Sequence, residues 1–331
     1  MKNPELSILT PFYNPGKHFV PCIESILSQS FENWEWILVD DFSTDDSASI
    51  INSYNDPRIK VYKNQEKGLI NGLRIALANS NGNYISRMDA DDIAPKDKYQ
   101  LLLDKIKPQK QGTVCIGAVK YFNNDGLNEG YQYYEKWLNE VNKASATWQN
   151  IYRECTIPSP NFLISRTDLQ NIGQFDSDIY PEDYDLAFRM RQHGLKVAFV
   201  NEITHLWRDH SERSTRTQEH YNHLNFIPLK VKNIVAEFPD RDIVIWGGAK
   251  KGKLIARQLA SLNRRYDWVC SNVQRIGHVV YDVKIRDPKE MNWIKDQCVI
   301  IAVSNKDEQN NITQTLENQN KTPLEDFFFF F

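Results

Sequence analysis

The sequence is poor in several features that would place it at once. It has five cysteines, Cys22, Cys115, Cys155, Cys270 and Cys298, an odd and scattered set with no C-x-x-C pair. That spacing offers neither a disulfide framework nor a zinc knuckle. It fits free thiols in a reducing cytoplasm, each read most simply as a small buried apolar side chain. There is no excess of positive charge: 40 Lys and Arg against 43 Asp and Glu leave a net charge of −3. A general nucleic-acid binder is therefore not expected, although a local basic pocket for a phosphorylated ligand remains compatible. No stretch reaches the roughly 18–20 apolar residues of a membrane span. The start, MKNPELSILTPFYNP, has only a short apolar run flanked by Pro4 and Pro11 and does not read as a secretory signal. The closing FFFFF at 327–331 is too short to cross a bilayer and is expected as a buried terminal strand.

What is present is an ordinary globular composition, 41% hydrophobic and 25% charged, over 331 residues. That length exceeds one typical core and predicts two domains. The first ~90 residues alternate strand-like runs with amphipathic stretches. Leu6–Thr10, Glu35–Val39, Arg58–Tyr62 and Asn83–Arg87 read as strands; Lys17–Ser30, 45–53 and Leu69–Ala78 read as helices. This order predicts a mostly parallel sheet covered by helices, an α/β fold. Further on, a helix is expected from Pro95 to Lys107, strands at Thr113–Phe122, Ile157–Ser165 and Val197–Val200, a helix over Pro181–Gln192, and a polar loop at Arg208–Thr217. The aromatic segment 123–155 reads as loop and helix around a site. Tyr131, Tyr133, Tyr134, Trp137, Trp148 and Tyr152 there, and Trp207, suit either stacking on a ligand or packing.

In an open parallel sheet, ligands gather at the carboxyl ends of strands. Three polar clusters fall there: Thr10–Asn14, Asp40-Asp41 and Asp89–Asp92. The last lies in RMDADDIAP, where Asp89 and Asp91 form a D-x-D turn that suits one hard divalent cation shared with a diphosphate. The plain alternative is a solvated acidic turn, or Asp92 facing the start of the helix at Pro95. An EF-hand is excluded, because Ala94 stands at the turn glycine and Ile93 at a ligand position. Asp40 and Asp41 suit a nucleobase N–H or ribose hydroxyl, or else the cap of the next helix.

SILTPFYNPGKHFVPCIESILSQSFENWEWILVDDFSTDDS resembles the opening of the family 2 glycosyltransferases. GNYISRMDADD is similar to that family's nucleotide-sugar and metal motif, IYPEDYDLAFRMRQHG to its catalytic helix, and WRDHSERS to the segment carrying a late histidine. The four motifs come in order over residues 5–217. The resemblance implies a GT-A nucleotide-diphospho-sugar transferase fold, a mostly parallel central sheet with helices on both faces. It implies donor-nucleotide contacts by Pro11, Tyr13, Asp40, Asp41 and Asp89, with Lys67, Arg74 or Arg87 against the diphosphate. For Arg87 the alternative is an ion pair with the acidic turn itself. It implies Asp91 and His210 as ligands of Mn²⁺ or Mg²⁺, with Asp89 beside them or acting through water. It implies Asp183 as the catalytic base of an inverting transfer; a simple helix-start carboxylate is the other reading.

Phe238-Pro239-Asp240 marks a boundary, giving expected domains at 1–225 and 240–331 joined by a helical linker over 226–239, with the helix at Tyr221–Glu237. The last domain opens a fresh unit: strand Ile243–Trp246, the turn Gly247–Gly252, a helix to Leu262, then strands at Trp268–Cys270 and Cys298–Val303. The turn resembles a Rossmann phosphate-binding turn, so a small Rossmann-like α/β domain is expected. Ala249 replaces the middle glycine and Cys270 stands near the place of the ribose-binding acid, so NAD(P) is not expected there. Lys250, Lys251 and Lys253 suit a phosphate or anionic surface; a structural or oligomerising domain is the favoured reading.

Together these point to a metal-dependent, inverting glycosyltransferase. It would take a nucleoside-diphosphate sugar, UDP-linked by preference, to a glycan or lipid-linked acceptor of a surface polysaccharide, in the cytoplasm with peripheral contact at the inner membrane face. A nucleotidyltransferase would want a Gly-rich basic loop after the first strand, and TPFYNPGKH has one Gly and one Lys. A non-catalytic sugar-nucleotide sensor would not need Asp91, Asp183 and His210.

Overall fold

The structure is a computed structural model describing residues 3–123, 126–211, 213 and 221–331. Contacts divide the chain into two compact units, Met1–Thr147 with Thr156–Arg213, and Trp148–Cys155 with Ser214–Phe331.

The first unit runs β1 (Leu6–Phe12), α1 (Phe19–Leu27), β2 (Trp34–Asp40), α2 (Ser47–Asn52), β3 (Ile59–Lys63), α3 (Leu69–Ala78), β4 (Tyr84–Arg87), α4 (Lys98–Ile106), β5 (Thr113–Phe122), α5 (Glu129–Lys143), β6 (Phe162–Ser165), α6 (Arg166–Asn171), α7 (Glu182–Gln192) and β7 (Lys196–Arg208). The sheet order is β3-β2-β1-β4-β6-β5-β7. Pairings are parallel except where β6 runs against β4 and β5. β1 is buried along its whole length, as a strand covered on both faces must be. Phe19, Cys22, Ile23 and Ile26 form the inward stripe of α1 and meet Leu6, Ile8, Trp36 and Leu38 in the core.

Several boundaries differ from expectation. The helix expected from Pro95 starts at Lys98, because residues 95–98 first close a turn through Lys98 N–H to the Pro95 carbonyl at 2.9 Å. The strand expected over 157–165 begins only at Phe162, after a 3₁₀ turn at Ser159–Asn161. α6 was not anticipated; Ser165 caps it, accepting from Asp168 N–H at 3.0 Å. The aromatic segment divides: α5 belongs to the first unit, whereas Trp148 and Tyr152 lie in the second. There Tyr152 is buried and stacked on Phe330 at 5.8 Å, so it is core and not a wall of the site.

The largest difference is β7, which has thirteen residues where four were expected. Its pairing with β5 shifts register at Gly117/Ala118 and Ala118/Val119. Thr204 sits against Gly117, where an added Cβ would lie 2.0 Å from Thr204 Oγ1. Thr204 Oγ1 donates to Asn161 Oδ1 at 2.8 Å, and Asn161 Nδ2 donates to the Gly117 carbonyl at 2.8 Å. This irregularity re-aims the rest of the strand. Beyond it, Leu206 pairs with Ile93, two residues past the D-x-D turn. The expected polar loop at 208–217 is described to 211 and at 213; its remainder lies outside the described residues.

The second unit contains a 3₁₀ turn at 223–226, α8 (Ile227–Glu237), β8 (Asp242–Trp246), α9 (Lys250–Ser261), β9 (Tyr266–Val269), β10 (Val279–Val280), β11 (Val283–Arg286), β12 (Gln297–Ile301), α10 (Lys306–Glu317) and β13 (Phe327–Phe329). Its sheet, ordered β10-β11-β9-β8-β12-β13, is parallel except at β10. The stretch 226–239, expected as a connecting helix, is mostly α8, which packs on α9 within this unit. The terminal phenylalanines form the expected buried strand, beside β12. Gly252 lets α9 close on the turn after β8: an added Cβ there would lie 1.9 Å from the Gly247 carbonyl oxygen. Among the described residues no helix is long and apolar enough to cross a membrane.

Candidate active site

β2, β1 and β4 are neighbouring parallel strands, so Asp41, the 13–14 turn and Asp89 leave the sheet at one edge. Thr10 Oγ1 binds the strands together there, donating to the Met88 carbonyl at 2.7 Å and accepting from Trp36 Nε1 at 2.9 Å.

Asp41 is nearly buried. Its Oδ1 accepts from Asn64 Nδ2 at 2.7 Å and from Gly68 N–H at 2.8 Å. Both bonds fall on one oxygen and hold the carboxylate at the rim with the other available. Asp40 Oδ1 accepts from Ser43 N–H at 2.8 Å and shapes the loop. The residue at the start of α2 is Asp46, so neither Asp40 nor Asp41 caps that helix. Tyr13 is 48% exposed, with Lys67 Nζ 4.3 Å from its ring centre. Pro11 is buried in β1 against Gly72 of α3.

The three candidate cations for a diphosphate separate clearly. Arg74 is engaged by the 175–178 segment, donating to the Phe175 and Asp176 carbonyls and pairing with Asp178 at 2.7 Å. Arg87 is buried and pairs with Asp89 at 3.1 Å and with Glu182 at 2.8 Å. It thereby ties the D-x-D turn to the first turn of α7. Lys67 touches the exposed Tyr13 ring.

Asp91 Oδ2 lies 2.8 Å from His210 Nε2, although 119 residues separate them. β7 makes this possible: its end is fixed by Arg208, whose N–H donates to Asp92 Oδ1 at 2.7 Å and whose Nε donates to the Asp91 carbonyl at 2.7 Å. His18 adds its ring beside His210, with centroids 4.7 Å apart. Burial alone would push the Asp91 carboxyl up, but the His210 bond and the Arg213 charge outweigh it and bring it below its ordinary value. Asp89 is pushed up by burial and by Asp91, with Arg87 opposing. Asp92 is not the helix cap expected of it: the residue at the start of α4 is Asp97. Asp92 is instead fully buried, its second oxygen 2.9 Å from His205 Nε2.

Asp183 opens α7 beside Glu182, within the acidic first turn of a helix where carboxylates are favoured. Burial and the Glu182 charge push its carboxyl up to about 7, against the pull of Arg87. The aromatics expected as sugar platforms mostly pack on each other: Trp207 stacks on Tyr121 at 5.0 Å, and Tyr134 on Trp137 at 5.8 Å. Tyr133 is the exposed one, at 51%.

Sequence reasoning missed Arg213, which is buried over the Trp207 ring and acts electrostatically on Asp89, Asp91 and Asp92. It also missed Asn64, Arg208 and the pair His205 and Lys98. The spacing of Arg208, His210 and Arg213 around one acidic turn was the available signal, but only a strand reaching Arg208 brings them there.

The family model for "Glycosyl transferase family 2" matches residues 7–173, just over half of the chain. The chain belongs to this family. It is 28% identical over 226 residues to glycosyltransferase GlyG of Streptococcus pneumoniae serotype 4, covering 64% of this chain and 73% of that one. It is 35% identical over 134 residues to chondroitin synthase of Escherichia coli, covering 39% and 20%. The chain thus spans most of the first relative and a fifth of the second. Among solved structures, S. aureus TarS 1–349 in complex with UDP-GlcNAc superposes with a TM-score of 0.55 at 17% identity, covering 77% of this chain and 71% of that one. The fold is therefore GT-A, as expected, and the protein is a glycosyltransferase.

Proposed function

We propose that this family 2 glycosyltransferase moves a sugar from a nucleoside-diphosphate donor to a hydroxyl of a glycan or lipid-linked acceptor, with inversion, in the synthesis of a surface polysaccharide. The observation that carries this reading is the joining of D-x-D turn and catalytic helix through Arg87, with Asp91 and His210 meeting on the same turn. Asp41 accepts a base N–H while Asn64 and Gly68 hold it; Tyr13 offers its ring beside the base, and Lys67 offers charge. Asp183 takes the proton from the acceptor hydroxyl, whose oxygen attacks the anomeric carbon. The nucleoside diphosphate leaves from the opposite face. A carboxyl with a pKa of about 7 is a suitable base near neutral pH. A second carboxylate acting as nucleophile is not needed.

Asp91 and His210 fit a divalent cation by their chemistry, an oxygen and an imidazole nitrogen already adjacent. Asp89 is the third candidate. Among the described residues no three His, Cys, Asp or Glu side chains gather into a ready cage, so diphosphate and water would complete the set. When bound, Mn²⁺ or Mg²⁺ supplies neutralisation of charge on the leaving diphosphate.

Support for the substrates comes from relatives: one is named for chondroitin synthesis, and a fold neighbour was solved with UDP-GlcNAc. The reaction would then take place at the cytoplasmic face of the membrane. The test is hydrolysis of UDP-, GDP- and dTDP-sugars with Mn²⁺, without acceptor. Release of nucleotide from one class identifies the donor. No turnover or binding with any of them would overturn the reading.

A further inference from the structure

The second unit holds a cavity that glycosyl transfer does not use. It has a volume of about 330 Å³ and lies at the carboxyl ends of β8 and β9. Its cations come from two places. Lys250, Lys253 and Arg257 project from one side of α9 at spacings of three and four, and Arg275 faces them from the segment after β9. Leu254 and Tyr281 supply apolar surface, and Tyr281 is 49% exposed. Among the described residues none of the four cations has a carboxylate within ion-pair distance. Ion pairs elsewhere in this unit include Arg241 with Asp326 and Arg286 with Asp267. Four unneutralised cations around one cavity stand out in a chain whose net charge is −3.

The turn is shaped to admit Arg275. A Cβ on Gly248 would lie 3.2 Å from Arg275 Cβ and 3.1 Å from Cys270 Sγ, tighter than an ordinary contact, so a side chain there would press on the arginine stem. Lys251, also expected to serve an anion, does not line the cavity: it bonds Ser304 Oγ and lies over the Phe331 ring. Lys250 and Arg257 are seven residues apart, roughly 10 Å along the helix. Two linked phosphates, extending along this row with Lys253 between its ends, engage more of its cations at once than a single phosphate does. All four cations line one cavity, so their fields add there and weaken with salt.

We propose that this cavity binds a small molecule carrying a diphosphate, with Tyr281 against its adjoining ring or chain. Both a free nucleotide-like metabolite and the head of a diphosphate lipid present this group. The proposal does not rest on the assignment of the donor site, which lies in the other unit.

The test is calorimetric titration of the full chain with inorganic diphosphate in chelator, for wild type, K253E/R257E, K250Q/R275Q and D91N. Wild type and D91N should bind alike, more weakly at high salt. Both double variants should lose affinity by roughly tenfold or more. All four cations are exposed, and circular dichroism checks that the variants fold. Sedimentation with phosphatidylcholine vesicles, with and without a polyprenyl diphosphate, separates the sources. Vesicle binding displaced by diphosphate indicates a lipid head, and diphosphate binding without vesicle binding indicates a free metabolite. No binding to wild type, or equal binding by the double variants, overturns the proposal. Loss in D91N alone also overturns it, because the diphosphate would then sit at the donor site.

Discussion

Asp92 Oδ2 lies 2.9 Å from His205 Nε2, with both side chains buried. The far side of the imidazole, Nδ1, is 3.1 Å from Lys98 Nζ, which also donates to the Pro160 carbonyl at 2.7 Å. As an ammonium Lys98 is a donor only, and in that state Nδ1 accepts and Nε2–H donates to Asp92; burial lowers the Lys98 pKa to about 7 and holds the Asp92 carboxyl well above its ordinary value. Burial also holds the His205 pKa well below its ordinary value, so a neutral imidazole links Lys98 to Asp92. Asp92 also holds the Arg208 N–H, so the network fixes the strand end that brings His210 to Asp91.

His205→Ala would leave Asp92 and Lys98 buried without their bridge. Leaving a buried donor or acceptor unsatisfied costs about 1–3 kcal/mol. Urea unfolding should show a loss of that order, and the Mn²⁺ concentration for half-maximal activity should rise in whatever enzyme remains folded. A loss under about 1 kcal/mol, in the range of surface substitutions, would show that the network does not support the turn.

Asp183→Asn keeps the shape of the side chain and removes its basicity. Transfer should be abolished while donor binding, measured by titration with UDP, stays nearly unchanged. Turnover at the wild-type rate would remove Asp183 from the role of base.

The same group sets a pH dependence. Burial, then Glu182, pushes the Asp183 carboxyl up to about 7, so kcat/KM should rise with pH through that value and level off above it. The stability effect has the opposite sign. Between its ordinary value and about 7 the folded protein keeps a proton that the unfolded chain releases, so stability falls as pH rises through that window. Asp183→Asn should therefore unfold at a higher temperature than wild type near pH 8, with little difference near pH 4. Equal melting temperatures near pH 8 would mean that ionisation of Asp183 carries no cost.

Much of this was legible in the sequence because it is local. Apolar runs gave the strands and the 3.6-residue spacing gave α1 and α3, and strands in parallel order put Asp41, Asp89 and Asp91 on one edge. The missed parts depend on residues distant in sequence. β7 extends past Val200 through NEITHLWR, a polar run whose strand state depends on Thr204 packing on Gly117. Asp92, Lys98 and His205 lie on three segments with no shared pattern. Arg74 and Arg87 look alike in sequence; only the fold turns one to Asp178 and the other to Asp89 and Glu182. Arg74→Ala should accordingly lower stability and leave the KM for donor within about twofold, the size of effect expected of a partly exposed pair.

The proposed metal dependence is tested at the Asp91–His210 contact. Chelation should stop transfer and Mn²⁺ or Mg²⁺ should restore it, and His210→Ala should need more metal for the same rate. Full activity in excess chelator would remove Asp91 and His210 from the role of metal ligands.

Asp41 gives the sharpest test of donor orientation. Its Oδ1 already accepts from Asn64 and Gly68, so the carboxylate is held before any ligand arrives. Asp41→Ala removes the acceptor offered to the base and frees both donors, and a lost hydrogen bond to a charged group is worth about 1.5–3 kcal/mol. UDP affinity should fall by roughly ten- to a hundredfold. Inorganic diphosphate, which has no base, should bind the metal-loaded site as in wild type. Equal loss for both ligands would mean that Asp41 supports the loop at Gly68 and does not read the base.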